Sequence, residues 1–192
     1  MMPQTNLMPQ KVTLRFKVDE YYKLIDLGML HDYEKAEIIE GELIRKMPIG
    51  DRHATVVDRL NRILCRNLSD KIVVRVQNPL RLSDYNEPEP DFVLADLTKY
   101  DGKRHPQPKE TLVVIEVSDS TLKYDRDTKL LLYAESEIPE VWLVNLQKNI
   151  IEVHQKPNNG LYQITKISIH GEIVKSETIP QLEIEVDKIL GE

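Results

Sequence analysis

Two carboxylates interrupt or border the most apolar segments of the chain. Asp91 precedes the run at residues 92–95, and Glu116 lies inside the run at residues 112–117. Uninterrupted aliphatic runs of this length are typical of strands that are buried on both faces. Burying a carboxylate costs on the order of several kcal/mol unless a cation or hydrogen-bond donors compensate it. If the two strands are neighbours, Asp91 and Glu116 can therefore bind one hard divalent metal ion.

Lys129 is the third candidate, on a predicted helix that follows the second run. Its spacing of four from Asp125 and from Tyr133 places the three side chains on one stripe of that helix. Another apolar run follows, which predicts a strand, helix, strand unit with a right-handed crossover. In that unit Lys129 can lean over the metal site. A salt bridge from Lys129 to Glu116 without any metal would also compensate the buried carboxylate.

The side chains available as ligands favour a metal that binds oxygen. Cys65 is the only cysteine, and the five histidines include no close pair at metal-ligand spacing. Carboxylates must then carry the ion, and the backbone carbonyl of Val117 could join them, because hard cations accept main-chain oxygen. The sequence therefore predicts Mg²⁺, with Mn²⁺ as a substitute, rather than zinc.

Composition and charge are those of an ordinary globular chain. Of the 192 residues, 12–192 are predicted to form a single domain and 1–11 a flexible tail. No apolar stretch approaches the roughly 20 residues of a membrane span, and the N-terminus lacks a signal-peptide core, so we expect a cytoplasmic protein without membrane contact. The net charge of −6 argues against indiscriminate adhesion to nucleic acid but does not exclude a local basic patch.

The periodicity predicts an α/β fold with a mixed central sheet flanked by helices. Helical spacing of apolar residues is found over 18–27, 51–69, 125–134 and 186–190. Strand patterns are found over 36–40, 43–47, 71–77, 91–95, 111–118, 141–145, 150–154, 161–169 and 172–175. The first two strands form a hairpin with its turn at Gly41-Glu42. Strands 150–154 and 161–169 form an additional C-terminal β-hairpin.

Two groups of basic residues are candidates for contacts with phosphates. One lies on the polar face of helix 51–69, where a solvated surface is the simpler interpretation, and consists of Arg52, Arg59, Arg62 and Arg66. The other lies in the connection over residues 96–110 and consists of Lys99, Lys103, Arg104, His105 and Lys109. Because this loop joins the two carboxylate strands, it is the better candidate for holding a nucleic-acid backbone, with plain solubility as the alternative.

Taken in order, these motifs resemble a known family. Pro90-Asp91 opens one strand, Glu116-Val117-Ser118 ends the next, and Asp125, Lys129 and Tyr133 follow at a spacing of four. The matching segments elsewhere are Glu40-Gly41-Glu42-Leu43, His53 and Leu161-Tyr162. The chain resembles the Uma-two type of restriction endonuclease family, a branch of the PD-(D/E)XK nuclease superfamily. The resemblance implies a restriction-endonuclease-like core that hydrolyses DNA phosphodiester bonds with a bound metal ion.

The resemblance also implies a role for each candidate residue. Asp91, Glu116 and the Val117 carbonyl would bind Mg²⁺, Lys129 would pair with the attacking water or the developing charge, and Glu40 would be an outer or second-metal carboxylate. Double-stranded DNA is the expected partner, and a homodimer would let two sites address two strands. Ser118 stands where the superfamily pattern has a lysine, so Lys129 can replace that lysine only if its helix lies over the strand ends.

Two other functions stay open at this stage. The missing strand lysine and the low positive charge also suit a catalytically inactive nucleic-acid or protein binding module on the same fold. A metal-dependent hydrolase of a small phosphorylated compound is the third class. His53 and Tyr133 have simpler interpretations, as a packing residue at a helix start and as a hydrogen-bond donor to a carboxylate.

Overall fold

The structure, a computed structural model, describes residues 13–30 and 36–191 and contains both α-helices and β-strands. The tail predicted over residues 1–11 lies outside the described residues. In chain order the elements are α1 (Val18–Asp26), β1 (Ala36–Ile39), β2 (Glu42–Arg45), α2 (Asp51–Asn67), β3 (Ile72–Val76), β4 (Phe92–Asp96), a 3₁₀ turn (Pro108–Glu110), β5 (Thr111–Ser118), α3 (Leu122–Tyr124), a π turn (Asp125–Lys129), α4 (Leu130–Glu135), β6 (Glu140–Asn145), β7 (Ile150–Asn158), β8 (Leu161–Ser168), β9 (Ile173–Lys175), β10 (Glu183–Glu185) and α5 (Val186–Leu190).

A six-stranded sheet in the order β3-β4-β5-β6-β7-β8 forms the centre of the structure. Strands β5 and β6 are parallel, and the other neighbouring pairs are antiparallel. The sheet is therefore mixed, as predicted, and the predicted C-terminal hairpin forms its β7–β8 edge. Phe92 pairs with Ile115 across β4 and β5, so the ends of these strands that carry Asp91 and Glu116 lie side by side.

Both faces of the sheet are covered, which explains why its central strands are continuous apolar runs. One face packs against α2 through Val56, Leu60 and Leu64, and also against α5 and the β9–β10 hairpin. The other face packs against the helix after β5, with Tyr133 fully buried there. Within 13–30 and 36–191, no helix combines the length and the apolar character that a bilayer crossing requires.

The β1–β2 hairpin has its turn one residue earlier than predicted. Ile39 pairs with Glu42, so the two turn residues are Glu40 and Gly41, with φ of 51° and 79°. Positive φ at both positions is a type I′ turn, whose twist matches that of the paired strands. The predicted turn at Gly41-Glu42 is therefore wrong by one residue, because glycine occupies the second turn position rather than the first. Glu40 consequently lies at the exposed tip of the hairpin.

The spacing of four predicts one regular α-helix after β5. The segment is helical, but a π turn divides it into two α-helical parts. The Leu130 N–H donates to the Asp125 carbonyl, five residues earlier, which closes the π turn between α3 and α4. Such a turn contains one residue more than an α-helical turn, and π turns are frequent at functional sites. Asp125 and Lys129 are both buried at its two ends.

Candidate active site

Lys129 lies between two buried carboxylates from different parts of the chain. Its Nζ is 2.7 Å from Glu37 Oε1 on β1 and 3.2 Å from Glu116 Oε1 on β5. The Tyr133 hydroxyl donates to the same Glu116 oxygen at 2.6 Å. The helical segment after β5 therefore does lie over the end of that strand, which is the geometric condition under which Lys129 can take the place of a strand lysine.

Asp91 is held by donors from three other elements. Its Oδ2 accepts the Val117 N–H at 2.8 Å and lies 3.0 Å from His53 Nε2 on α2. Its Oδ1 accepts from Gln77 Nε2 at 3.2 Å, just after β3. Burial alone would raise the pKa of Asp91, but these hydrogen bonds and the His53 ring together hold it below its ordinary range. Asp91 is therefore an anion that the fold fixes beside Val117, the residue that follows Glu116.

Ser118, the residue that replaces the strand lysine, is fully buried and has a defined partner. Its Oγ donates to Asp125 Oδ2 at 2.7 Å, and the Thr121 hydroxyl donates to the same oxygen at 2.7 Å. Burial raises the pKa of Asp125, which Lys129 and the two hydroxyl donors oppose. Ser118 thus fixes the first residue of the π turn, whose last residue is Lys129.

A second contact holds the π turn against the sheet. The Arg126 guanidinium is 2.5 Å from Glu152 Oε1 on β7, and the Asn145 side chain donates to the same oxygen at 3.2 Å. The neighbouring His154 ring, whose Nε2 is 3.6 Å from Glu152 Oε2, outweighs burial and, with the contacts to Asn145 and Arg126, lowers the pKa of Glu152 to about 2. Glu152 is therefore charged at neutral pH and links the segment that carries Lys129 to the central sheet.

Part of this cluster lines an open cavity of about 1090 Å³, whereas Glu116 lies behind Lys129 and Val117 and does not contribute to the described cavity wall. Glu37, Asp91, Asp125 and Lys129 contribute to its wall, together with Tyr124 of α3. Among the described residues, the buried Tyr124 hydroxyl has no hydrogen-bond partner. Further lining residues come from β2 and the connection to α2, and these are Ile44, Arg45, Lys46, Met47, Pro48 and Ile49. The cavity is large enough to admit a phosphate and its neighbouring groups.

Carboxyl groups outnumber ammonium groups around Lys129. Burial, and to a lesser extent the neighbouring carboxylates Asp125, Asp91 and Glu37, raise the pKa of Glu116 from 4.5 to about 8, while Lys129 opposes the shift. Burial would lower the pKa of the Lys129 ammonium, but Glu116 and Glu37 raise it well above its ordinary value. Lys129 is therefore charged at neutral pH, and Glu116 is the group of the cluster that protonates most readily.

The raised pKa of Glu116 predicts that the metal-free protein becomes less stable as pH rises from about 5 to 8. A carboxyl whose pKa is higher in the folded state stabilises that state fully below its unfolded pKa, and this contribution is lost as pH rises through the folded pKa. His53 acts in the same direction, since hydrogen bonding to Asp91 raises its pKa. Thermal unfolding in EDTA at a series of pH values measures the slope.

The Glu116→Gln variant is the control for this pH dependence. It keeps a hydrogen-bond acceptor for Tyr133 but has no proton to lose, so the melting temperature should fall less steeply between pH 5 and 8. An unchanged slope in Glu116→Gln would assign the pH dependence to other groups. The exposed glutamate Glu20 provides a matched replacement that should leave the slope as it is in the parent chain.

Two predicted contributors lie outside this cluster. Glu40, the predicted outer carboxylate, is exposed at the hairpin tip, where its Oε2 is 3.8 Å from Arg15. The structure instead brings Glu37 of the same hairpin to Lys129. The basic residues of the 96–110 connection do not contribute to the described cavity wall either. That connection leaves β4 at the end opposite Asp91, and its Arg104 pairs with Glu110 at 2.5 Å.

Glu37, Gln77 and Asp125 belong to this cluster or its immediate surroundings, but the sequence did not identify them as candidate site residues. Asp125 had a signal, its spacing of four from Lys129. Gln77 had none, because its contact with Asp91 depends on a backbone φ of 50° directly after β3. A left-handed conformation at a residue other than glycine costs about 1 kcal/mol or more, and such residues cluster at functional sites. Glu37 is one of three glutamates in the β1–β2 hairpin, and the sequence does not indicate which of them reaches Lys129.

The donor set fits a hard divalent cation, because every side chain concerned offers carboxylate oxygen. In the described part of the chain, no three His, Cys, Asp or Glu side chains form a ready ligand set. Mg²⁺ does not require one, since it is commonly held by one or two carboxylates and retains several waters. The excess of carboxylates over cations around Lys129 provides the charge that would attract the ion.

Comparisons with known proteins agree with this architecture. The family model described as "Uma2: Putative restriction endonuclease" matches residues 18–187. Among solved structures, the chain is similar to a "putative nuclease belonging to DUF820" from Anabaena variabilis, with a TM-score of 0.71 and 15% sequence identity, over 92% of this chain and 98% of that one. At this identity the structural likeness shows the fold alone. No curated protein matches the chain.

Proposed function

Since the chain belongs to the Uma2 family of restriction-endonuclease-like proteins, we propose that it is a metal-dependent DNA endonuclease whose site is the cluster around Lys129. The family and the fold both support a nuclease role. The resemblance inferred from the sequence motifs and the α/β fold with a mixed sheet are thereby confirmed. The metal, the substrate and the roles of individual residues belong to the proposal.

The observation that carries the proposal is the position of Lys129. Its ammonium contacts Glu116 and Glu37, and it shares a cavity with Asp91 and Asp125. Buried lysines are rare unless paired, and a salt bridge to one carboxylate would have been sufficient to compensate it. Four carboxylates around one lysine are far more than a structural ion pair needs. Such an arrangement suits a site that binds a divalent cation and a phosphate together.

In the proposed site, Asp91, Glu116 and the Val117 carbonyl hold Mg²⁺, with Mn²⁺ as a substitute. The Val117 N–H already points at Asp91. In an extended strand the N–H and C=O of one residue point to the same side, which supports the carbonyl as a further ligand. The bound ion would supply Lewis acidity and a water of lowered pKa.

The side chains of the protein stabilise charge and hold the carboxylates in position. The Lys129 ammonium, charged at neutral pH, stabilises the negative charge that develops on the phosphate oxygens. His53 and Gln77 fix Asp91, while Tyr133 fixes Glu116, so neither carboxylate has to reorganise when substrate binds. Glu37 also contacts the Lys129 ammonium, whereas Glu40, predicted as an outer or second-metal carboxylate, lies outside the cluster. A homodimer with two such sites would allow both strands of duplex DNA to be cut.

Plasmid nicking tests the function directly. Purified protein with Mg²⁺ or Mn²⁺ should convert supercoiled plasmid to the relaxed form, and EDTA should stop the reaction, because the ion is removed. Agarose gels quantify the relaxed fraction with time. Nicking that continues in EDTA would mean that the proposed carboxylate-held cation is not required. Cleavage of small phosphoesters without any cleavage of DNA would assign the protein to a different class of hydrolase.

A second candidate is a binding module on the same fold that does not cut. It is favoured by the contact of the Lys129 ammonium with Glu116 and Glu37, which already compensates part of the buried charge. The same plasmid, incubated with Mg²⁺ and analysed by a mobility shift, separates the two. Retarded plasmid that stays supercoiled at long times would select this second function.

A further inference from the structure

Three consecutive residues of the cavity lining are both apolar and exposed. Met47, Pro48 and Ile49 lie in the connection from β2 to α2, with Met47 66% and Ile49 55% exposed. All three contribute to the same cavity wall that faces Asp91 and Lys129. A contiguous exposed apolar run is unusual in a folded chain unless it contacts a ligand or partner.

The candidate reactive groups are buried. Asp91, Glu116 and Lys129 are only 8%, 4% and 5% exposed. A phosphate that reaches Asp91 or Lys129 must enter the cavity, and the nucleotides on either side of it must pass along the walls. The apolar wall cannot bind phosphate, so the part of the nucleic acid that lies against it is a base or a sugar.

The wall also carries positive charge directly before the apolar run. Arg45 and Lys46 contribute to the cavity wall and precede Met47 in the chain, and the Lys46 ammonium is 3.0 Å from Oε2 of Glu89, a carboxylate that also lines the cavity. Met, Ile and Pro are among the apolar side chains that proteins insert between bases, which become partly unstacked. In an intact duplex the bases are stacked inside, and the double helix is stiff over about 150 base pairs. An unpaired strand can turn its bases outward onto such a wall.

We propose that residues 47–49 contact the bases of an unpaired DNA strand whose phosphate lies at Lys129, so that single-stranded or locally unpaired DNA is the preferred substrate. This inference rests on the proposed function and specifies its substrate class. Duplex DNA with a transiently unpaired segment, such as a supercoiled plasmid, contains the same substrate. The resemblance implied double-stranded DNA as the partner, and the inference differs from it in the preferred form.

Binding measured without cutting tests the inference. In a Glu116→Gln background with Mg²⁺, fluorescence anisotropy gives the Kd for one sequence as single strand, as perfect duplex and as duplex with an unpaired bubble. A 2-aminopurine base in the single strand reports stacking changes at the wall. The single strand and the bubble should bind on the order of ten-fold more tightly than the duplex. The double substitution Met47→Ser with Ile49→Ser should abolish most of that difference and the 2-aminopurine signal.

The matched control removes equally exposed apolar residues far from the cavity. Leu161 and Ile167 of β8 are 56% and 57% exposed, and the double change Leu161→Ser with Ile167→Ser should leave all three affinities within two-fold. Circular dichroism shows whether the Met47→Ser, Ile49→Ser variant is folded. If it is not, the single variants Met47→Gln and Ile49→Thr replace it in the same binding measurements, because each removes less apolar surface.

Several results would overturn the inference. These are a perfect duplex that binds as tightly as the single strand, single-strand affinity unchanged by the serine substitutions, and tighter binding of single-stranded RNA than of DNA. A change in oligomeric state on sedimentation, without a change in DNA affinity, would identify a second copy of the chain as the occupant. If one of these results is obtained and the parent chain still nicks plasmid, the inference fails and the proposed function stands. Base contact without nicking would support the inference and reject the nuclease.

Discussion

Replacement of Lys129 by methionine is expected to lower the rate of plasmid nicking by about 100- to 1,000-fold. This is the typical effect of removing one preorganised group that stabilises charge in a transition state. Methionine keeps much of the buried side-chain volume, so the change removes mainly the ammonium that contacts Glu116 and Glu37. Single-turnover nicking at saturating protein and Mg²⁺ measures the chemical step without a contribution from product release.

The control for this variant is a lysine on the same segment that has no part in the site. Lys123 is exposed and pairs with Asp127, and Lys123→Met should cut at the parent rate. In the metal-free state Lys129→Met should also lose about 3 kcal/mol of unfolding free energy, because it leaves buried carboxylates without their counter-ion. Nicking within three-fold of the parent rate by a folded Lys129→Met protein would remove this lysine from the mechanism.

Asp91→Asn is expected to have an effect at least as large, with the loss appearing as a failure to use Mg²⁺. Asparagine is nearly isosteric and can still accept from the Val117 N–H, but it lacks the charge that a hard cation requires. A metal ion supplies several kcal/mol of transition-state stabilisation, and each 1.36 kcal/mol is ten-fold in rate, so the rate should fall by about 1,000-fold or more. Nicking rates over a series of Mg²⁺ concentrations measure both the maximal rate and the concentration needed.

Asp58 provides the matched carboxylate. It lies on the exposed face of α2, the helix that carries His53, and Asp58→Asn should not change the Mg²⁺ dependence. Because asparagine at residue 91 can still accept a hydrogen bond from the Val117 N–H, circular dichroism and thermal unfolding should show a folded protein. If Asp91→Asn cuts as well as the parent at the same Mg²⁺ concentration, Asp91 is a structural residue that pairs with His53.

The central strands were predictable because their chemistry is simple. A sheet covered on both faces requires continuous apolar strands, and the bounds Thr111–Ser118 of β5 are those predicted. Charge inside such strands is costly, so Asp91 and Glu116 stood out without any knowledge of pairing. The spacing of Asp125, Lys129 and Tyr133 then indicated which side chains face the sheet. These predictions all follow from local sequence.

The contribution of the β1–β2 hairpin could not be predicted in the same way. Residues 37–42 include three glutamates, Glu37, Glu40 and Glu42. Which of them reaches the sheet depends on the register of the hairpin, and a shift of one residue moves every side chain to the other face. The type I′ turn at Glu40-Gly41 fixes that register, so Glu37 points to Lys129 and Glu40 lies at the tip.

The π turn also could not be predicted from the sequence. A spacing of four predicts an α-helix, and nothing in the residues 125–129 indicates an additional residue in the turn. The turn depends on tertiary contacts, since Ser118 and Thr121 hold Asp125 and Glu152 holds Arg126. These partners come from β5, the loop after it and β7, which only the folded chain brings together.

The most direct measurement is a crystal structure with Mn²⁺, in which anomalous diffraction at the manganese edge identifies the ion independently of any model. The proposed site predicts an anomalous peak bound by carboxylate oxygens of both Asp91 and Glu116, with the Lys129 ammonium next to it. Saturating Mn²⁺ with no peak at these two residues, and with Lys129 still paired to Glu116 and Glu37, would show that the cluster is an ion-pair network and not a metal centre.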